Sequence, residues 1–235
     1  MSSEKKIAIL QSNYIPWKGY FDFIASVDEF ILFDDMQYTR RDWRNRNQIK
    51  TPQGIQWITI PVMVKGKYYQ KIRDTEIDGD QWPEVHWKTL FQNYRRSRYF
   101  NEIAYWLEPL YRGWSGTNLS KLNRYFIEAI CKHLGIHTKI TNSWDYPPFQ
   151  GDNRTERLAW LCSHAGGTEY ISGPSAKDYV EENILFDHGI KIKWADYSGY
   201  PIYNQLWGDF VHGVSILDLL FNCGNEAKFY MKYVR

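Results

Sequence analysis

The first thirty-three residues constrain the fold most. Lys6–Leu10 is a short apolar run, residues 11–19 are polar with Pro and Gly, a helix-compatible stretch follows to Ser26, and residues 29–33 form a second apolar run. A tight turn joins only antiparallel strands, so two strands separated by a helix must be parallel and linked by a crossover. This is a βαβ unit. In such units the loop after the first strand opens at the carboxyl edge of the sheet, where small ligands bind. Residues 11–19 and 34–38 should both emerge there.

Downstream, residues 44–62 read as two extended runs around Thr51-Pro52-Gln53-Gly54, a turn sequence that predicts a hairpin. Apolar residues at helical spacing predict helices over 82–96 and 100–111, and a third runs from an Asn118 cap to Leu134, where Gly135 stops it. The second half repeats the opening plan: a helix over 155–165, a strand over 170–172, a loop, a helix over 176–185 and a strand over 190–195. The expected fold is α/β, a small Rossmann-like parallel sheet built from two βαβ units, with a β-hairpin and a helical insertion. One domain spans 1–235: the βαβ unit and hairpin in 1–75, the helical insertion in 82–135, and the second unit with a C-terminal helix in 155–235.

Lys and Arg number 29 against 27 Asp and Glu, a formal charge of +2, which provides no general attraction for a polyanion. Nucleic acid is therefore not the expected partner, despite an aromatic content of 17%. The opening residues are too charged for a signal peptide, and no run approaches the ~20 apolar residues of a membrane span. The expected location is the cytoplasm. Cys131, Cys162 and Cys223 are odd in number and far apart, which predicts reduced thiols rather than disulfides or a zinc site.

Candidate functional residues gather in a few segments. Asp34 and Asp35 end the second strand beside Gln37 and Tyr38. Adjacent side chains of an extended segment point to opposite faces, so one of the two carboxylates can face the ligand, as general base or as holder of a sugar hydroxyl or Mg²⁺. Arg40, Arg41, Arg44 and Arg46 are interleaved with Asn45 and Asn47, and guanidinium forks match phosphate and carboxylate oxygens. If this run is extended, Asn45 and Asn47 share one face and Arg44 and Arg46 the other. Ser172-Gly173-Pro174-Ser175 leads into the 176–185 helix, whose N-terminus can cradle an anion or oxyanion. In the first loop, Asn13, Tyr14, Pro16, Lys18 and Gly19 stand where nucleotidylyltransferases carry a His-containing phosphate signature, but no His is present; Lys18 and the helix N-terminus remain as phosphate contacts. His86 lies beside the apolar stripe of its helix as a proton acceptor or a core histidine. Ser215, Asp218 and Asn222 form a polar stripe on the last helix and need partners. No P-loop, G-x-G-x-x-G or G-x-S-x-G motif occurs.

In order, QSNYIPWKGYFDFIASVDEF, DDMQYTRRDWRNRN, ITIPV, YISGPSAKDY and VSILDLLFNCG closely resemble the WbqC-like protein family, and the likeness spans essentially the whole chain. The resemblance implies a bacterial enzyme of O-antigen and related surface-polysaccharide biosynthesis, with glycyl or other aminoacyl transfer onto an amino sugar as its activity. It brings no catalytic residues with it. Combined with the residues above, it predicts a sugar nucleotide and an acyl donor as small-molecule partners. The phosphates would lie on Arg44 and Arg46, and Asp34, Asp35 or His86 would take the proton. ATP-dependent nucleotidylyl-type activation of a small acid, with a nucleotide and Mg²⁺, is the second reading, and a noncatalytic sugar-binding or assembly protein the third.

Overall fold

The computed structural model describes residues 4–235. Its centre is a five-stranded parallel sheet of β1 (Lys6–Leu10), β2 (Glu29–Leu32), β5 (Lys139–Asn142), β6 (Glu169–Ser172) and β7 (Lys191–Trp194), in the order β5-β2-β1-β6-β7. The chain builds outward from β1 through β2 to β5, then returns to the other side of β1 for β6 and β7. The order therefore reverses between β1 and β6, the position where open α/β sheets form a ligand crevice.

After their opening Lys6 and Glu29, β1 and β2 are apolar because both faces of the sheet are covered. On one face Ala8, Phe30 and Leu32 pack with α1 (Lys18–Ala25), α2 (Trp82–Tyr94), α3 (Phe100–Arg112), α4 (Leu119–Leu134) and α7 (Ile216–Cys223). On the other, Ile7, Ile9 and Ile31 meet Leu158, Ala159, Leu161 and Cys162 of α5 (Arg154–His164) and Leu185 of α6 (Glu182–Asp187). All three cysteines are buried free thiols. The hairpin of β3 (Arg46–Thr51) and β4 (Gly54–Thr59) stands apart from the sheet, with Thr51 paired to Gly54 and only Pro52 and Gln53 at the turn.

The three insertion helices start and end close to the expected positions. Asn118 accepts a hydrogen bond from the Lys121 amide at 2.9 Å, and Gly135 leaves α4 at φ 72°, a conformation that glycine adopts without steric cost.

Two expectations change. The sheet has a strand more than two βαβ units supply: β5 carries Ile140 as its one apolar residue among Lys, Thr and Asn, because it is an exposed edge strand. The continuous helix expected over 176–185 is broken into a 3-10 turn (Pro174–Asp178) and the short α6. Ala176, Val180 and Leu185 all bury against the same face, and the break between them lets each reach it. Ser172–Ser175 thus leads into a five-residue 3-10 turn rather than into the α-helix N-terminus expected there. Ser175 and Pro174 are exposed, and buried Ser172 donates to the Tyr170 hydroxyl at 3.3 Å.

Among the described residues, no helix is long and apolar enough to cross a membrane.

Candidate functional site at the carboxyl edge

The loop leaving β1 is held in a conformation its residues do not prefer. Ile15 has φ 37°, an outlier for a β-branched side chain, and such strain persists only where neighbours over-determine it. They do: the Tyr14 amide donates to Trp43 O (3.0 Å), Asn47 Nδ2 to Tyr14 O (2.9 Å), Ser215 Oγ to Ile15 O (2.8 Å) and the Ile216 amide to buried Pro16's carbonyl (2.9 Å). Two side chains from distant elements thus anchor the loop, and Ser215 is the cap of α7 rather than a member of it. Gly19 is required because Trp17 folds back over it: a Cβ there would lie 2.3 Å from the indole.

Above this loop, Arg44 reaches across the end of β1. Its guanidinium donates to Gln11 Oε1 (2.5 Å), to Asn13 Oδ1 and to Ser12 O (3.4 Å), with Asp42 3.8 Å from Nε. Leu10, Trp17, Phe33 and Met36, at or just beyond the carboxyl ends of β1 and β2, are only half-buried. Half-buried side chains along this edge make it the candidate crevice, since open α/β sheets bind ligands beyond the carboxyl ends of their strands.

β2 stops at Leu32, so the two aspartates expected at its end lie instead in the turn after it, and their side chains part there. Asp34 is fully buried and accepts from the Ser12 amide (2.8 Å), Ser12 Oγ (2.7 Å) and Ser120 Oγ (2.5 Å). Burial pushes its carboxyl above the usual carboxylate range, against those hydrogen bonds, which favour the anion. It faces the interior. Asp35 turns the other way, under a layer of cations that leaves its side chain 9% exposed: Arg73 Nη1 lies 2.6 Å from Oδ1, Arg157 Nη2 3.5 Å from Oδ2, Lys71 Nζ 4.0 Å away, and Ser143 Oγ donates at 2.6 Å. Arg157 also lies over the Phe33 ring at 4.8 Å. Three cations around one carboxylate leave the spot positive, which suits an anionic ligand and opposes a divalent metal. Among the described residues no three His, Cys, Asp or Glu side chains gather as metal ligands.

The arginine-asparagine run alternates, with Asn45 and Asn47 buried and Arg44 and Arg46 partly exposed. The arginines nonetheless serve different places. Arg44 joins the edge crevice, whereas Arg46 stacks 4.0 Å over the Trp57 ring and lines a cavity of about 520 Å³ with Tyr38, Arg40, Arg41, Asn45 and residues of β4 and the segment after it. Gly173, at the end of β6, sits two strand spacings, about 10 Å, from the end of β2, on the far side of β1. The aspartate pair, Arg44 and the Gly-Pro corner thus share one edge, while Arg46 turns away from it.

Other candidates lie elsewhere. His86 is 4% exposed; its Nε2 donates to Thr59 O (3.2 Å) and its Nδ1 accepts from Tyr14 Oη (2.9 Å), which contacts Tyr111 Oη at 2.9 Å. Burial lowers it to about 4, so this is a neutral imidazole in the core at pH 7. Lys18 is 2% exposed and turns from the edge to donate to Pro201 O (2.9 Å) among Tyr200, Tyr203 and Phe210; burial lowers its ammonium to about 8. Asp218 is held inside by the hydroxyls of Tyr94 and Tyr203, both 2.9 Å away, and Asn222 Nδ2 donates back to the Asp218 carbonyl. Gln37 is exposed and donates to Tyr68 O (2.9 Å).

A model of the WbqC-like protein family matches residues 11–230, which contain every segment of this edge. The chain belongs to the WbqC-like protein family. It is 59% identical over 231 residues to "Uncharacterized protein Rv1507c" of Mycobacterium tuberculosis, covering 98% of this chain and 99% of that one. No solved structure matches it.

Lys71, Arg73 and Arg157 are the residues of this edge that sequence reasoning missed. Arg157 carried a usable signal, since a basic residue in the first turn of a helix that follows a parallel strand must stand at the carboxyl edge. Without β5, α5 had no strand to follow.

Proposed function

We propose that this WbqC-like protein is an N-acyl- or aminoacyltransferase of bacterial O-antigen or related surface-polysaccharide assembly, moving a glycyl or other acyl group onto the amine of a nucleotide-linked amino sugar. The observation that supports this reading is Asp35, at the carboxyl edge just after β2, with Arg73, Arg157 and Lys71 around it. Diphosphate oxygens match the guanidinium forks, so an arriving sugar nucleotide competes with Asp35 for the same cations. The displaced carboxylate is then free to accept a proton from the sugar amine as that amine attacks the activated acyl carbon; the new N–C bond forms as the acyl carbon's bond to the donor breaks, and the donor's leaving group departs with that electron pair. Arg44 keeps Gln11 and Asn13 in place beside it. Asp34 acts one layer below as a fixed support for the Ser12 turn, and His86, neutral and enclosed, supports the same loop through Tyr14.

Purified protein is incubated with a nucleotide-linked amino sugar and candidate glycyl or acyl donors, and products are weighed by mass spectrometry. An acyl increment with at least one donor, lost on Asp35→Ala, is expected; no increment with any donor refutes the reading. The strand order also favours a second reading, nucleotide-dependent activation of a small acid, because mononucleotides bind at such reversals. Pyrophosphate release from ATP only when an amino acid is present selects it.

A further inference from the structure

Two residues that line the cavity beside the hairpin each carry a buried polar atom that nothing in the protein satisfies. Asn45 is 5% exposed, and its Nδ2 donates to Ile60 O at 2.7 Å. A carbonyl only accepts, so the amide cannot be turned around, and Oδ1 is left without a donor. Arg46 lies alongside, its plane set by Trp57, its Nη2 donating to Arg41 O and its Nε buried without an acceptor. Buried orphans of this kind are rare because each forfeits hydration without gaining a partner. One lacks a donor and the other an acceptor.

The surroundings indicate what would satisfy them. Arg40 and Arg41 join Arg46 at the cavity, and Arg41 is itself held at φ 59°. The acid within the run, Asp42, is turned to the Thr39 hydroxyl (2.5 Å), the Trp43 amide (2.7 Å) and Arg44. Among the described residues no carboxylate forms an ion pair with Arg40, Arg41 or Arg46. The remaining wall is Thr59 and a mostly apolar run of Ile60, Pro61, Val62, Val64 and the Tyr38 ring. At about 520 Å³ the space falls within the range of small-ligand sites.

We propose that this cavity is a second small-molecule site, distinct from the edge crevice, for a ligand that joins an anionic group to an adjacent hydrogen-bond donor. The anion meets the three guanidinium groups and the Arg46 Nε; the neighbouring O–H or N–H reaches Asn45 Oδ1. A phosphorylated sugar and a free amino acid both carry that pair of groups.

Isothermal titration of the full chain uses four probes: glucose 1-phosphate and glycine, which carry both groups, sulfate, which has only the anion, and glucose, which has only donors. Glucose 1-phosphate or glycine is expected to bind at least tenfold more tightly than sulfate or glucose, and which of the two binds identifies the ligand class. Arg40→Ala with Arg41→Gly alters exposed side chains, leaves folding intact and should weaken that binding at least tenfold. Asn45→Leu, with folding checked by circular dichroism, should bring the preferred probe down to the affinity of sulfate. Failure of both two-group probes to bind at millimolar concentration overturns the proposal, as does binding that is unchanged in the arginine double variant. Sulfate binding as well as either of them also overturns it, since a plain cationic patch does the same. These are binding measurements on residues outside the Asp35 crevice, so their failure and the failure of acyl transfer are separate results.

Discussion

Asp34 and Asp35 are neighbours in the chain, yet their surroundings differ in kind. Asp34 is enclosed by one amide and two hydroxyls; Asp35 is bordered by two arginines, a lysine and a serine at a half-open edge. Neutral donors inside the protein have no competitor, so the Asp34 cluster fixes the turn after β1 to α4 for as long as the fold lasts. Cations facing solvent exchange one anion for another at little cost. The Tyr94–Asp218–Tyr203 cluster belongs to the first kind and the guanidinium groups around the hairpin cavity to the second. What surrounds a carboxylate, more than its place in the sequence, decides whether it serves the scaffold or the ligand.

The sharpest way to break this contrast is to remove each aspartate in turn. Asp34→Ala orphans three buried donors and should cost roughly 3 kcal/mol or more in urea unfolding. Asp35→Ala should cost less than that, because the cations it leaves behind are 32–46% exposed and regain water, while lowering acyl transfer by about 10²–10⁴-fold. Equal losses of stability would end the distinction.

Acid titration separates enclosed groups by sign. Burial lowers His86 from 6.5 to about 4, so the unfolded chain takes up a proton in this interval that the folded one refuses. Stability should therefore fall by roughly 3 kcal/mol as pH drops from 6.5 to 4, and His86→Phe should flatten that limb of the curve. Asp34 and Asp218 act the other way: burial raises both carboxyls, so their contribution is complete below about pH 3.9 and is lost as pH rises through the raised values. Urea unfolding from pH 7 to 3.5 measures the combined slope, and a His86→Phe curve parallel to that of the native protein refutes the assignment.

Legibility in the sequence followed how local each signal was. The β1–α1–β2 unit, the hairpin and the helices to Leu134 declare themselves through apolar periodicity, Asn118 and Gly135. The edge strand β5 has almost no apolar pattern to read, and losing it concealed both the full strand order and the position of Arg157. Asp34 and Asp35 face opposite ways, but from a turn rather than from the extended strand that alternation presupposes, and which one faces inward depends on Ser120, 86 residues from Asp34. The separation of Arg44 from Arg46 was equally hidden: it turns on Trp57 of β4 and on Gln11 and Asn13 after β1. Pairings over such distances leave no trace in a local pattern.

Two smaller changes sharpen the comparison at the level of the backbone. Gly19→Ala drives a methyl group into the Trp17 indole, and the ring must leave its place over the start of α1, a displacement of the kind that costs about 1–3 kcal/mol. Arg41→Gly should do the reverse. At φ 59° a side chain is strained whereas glycine is not, and this arginine is exposed, so its removal loses little packing. The variant should gain roughly 1 kcal/mol in urea unfolding, the smallest effect proposed. A gain in stability coupled to weaker binding of an anionic probe would mean that the chain tolerates strain at Arg41 for the sake of the charge it presents. Unchanged or lower stability would show that the surrounding structure already relieves the strain, and Arg41 would then join Asp34 among the fixtures of the scaffold.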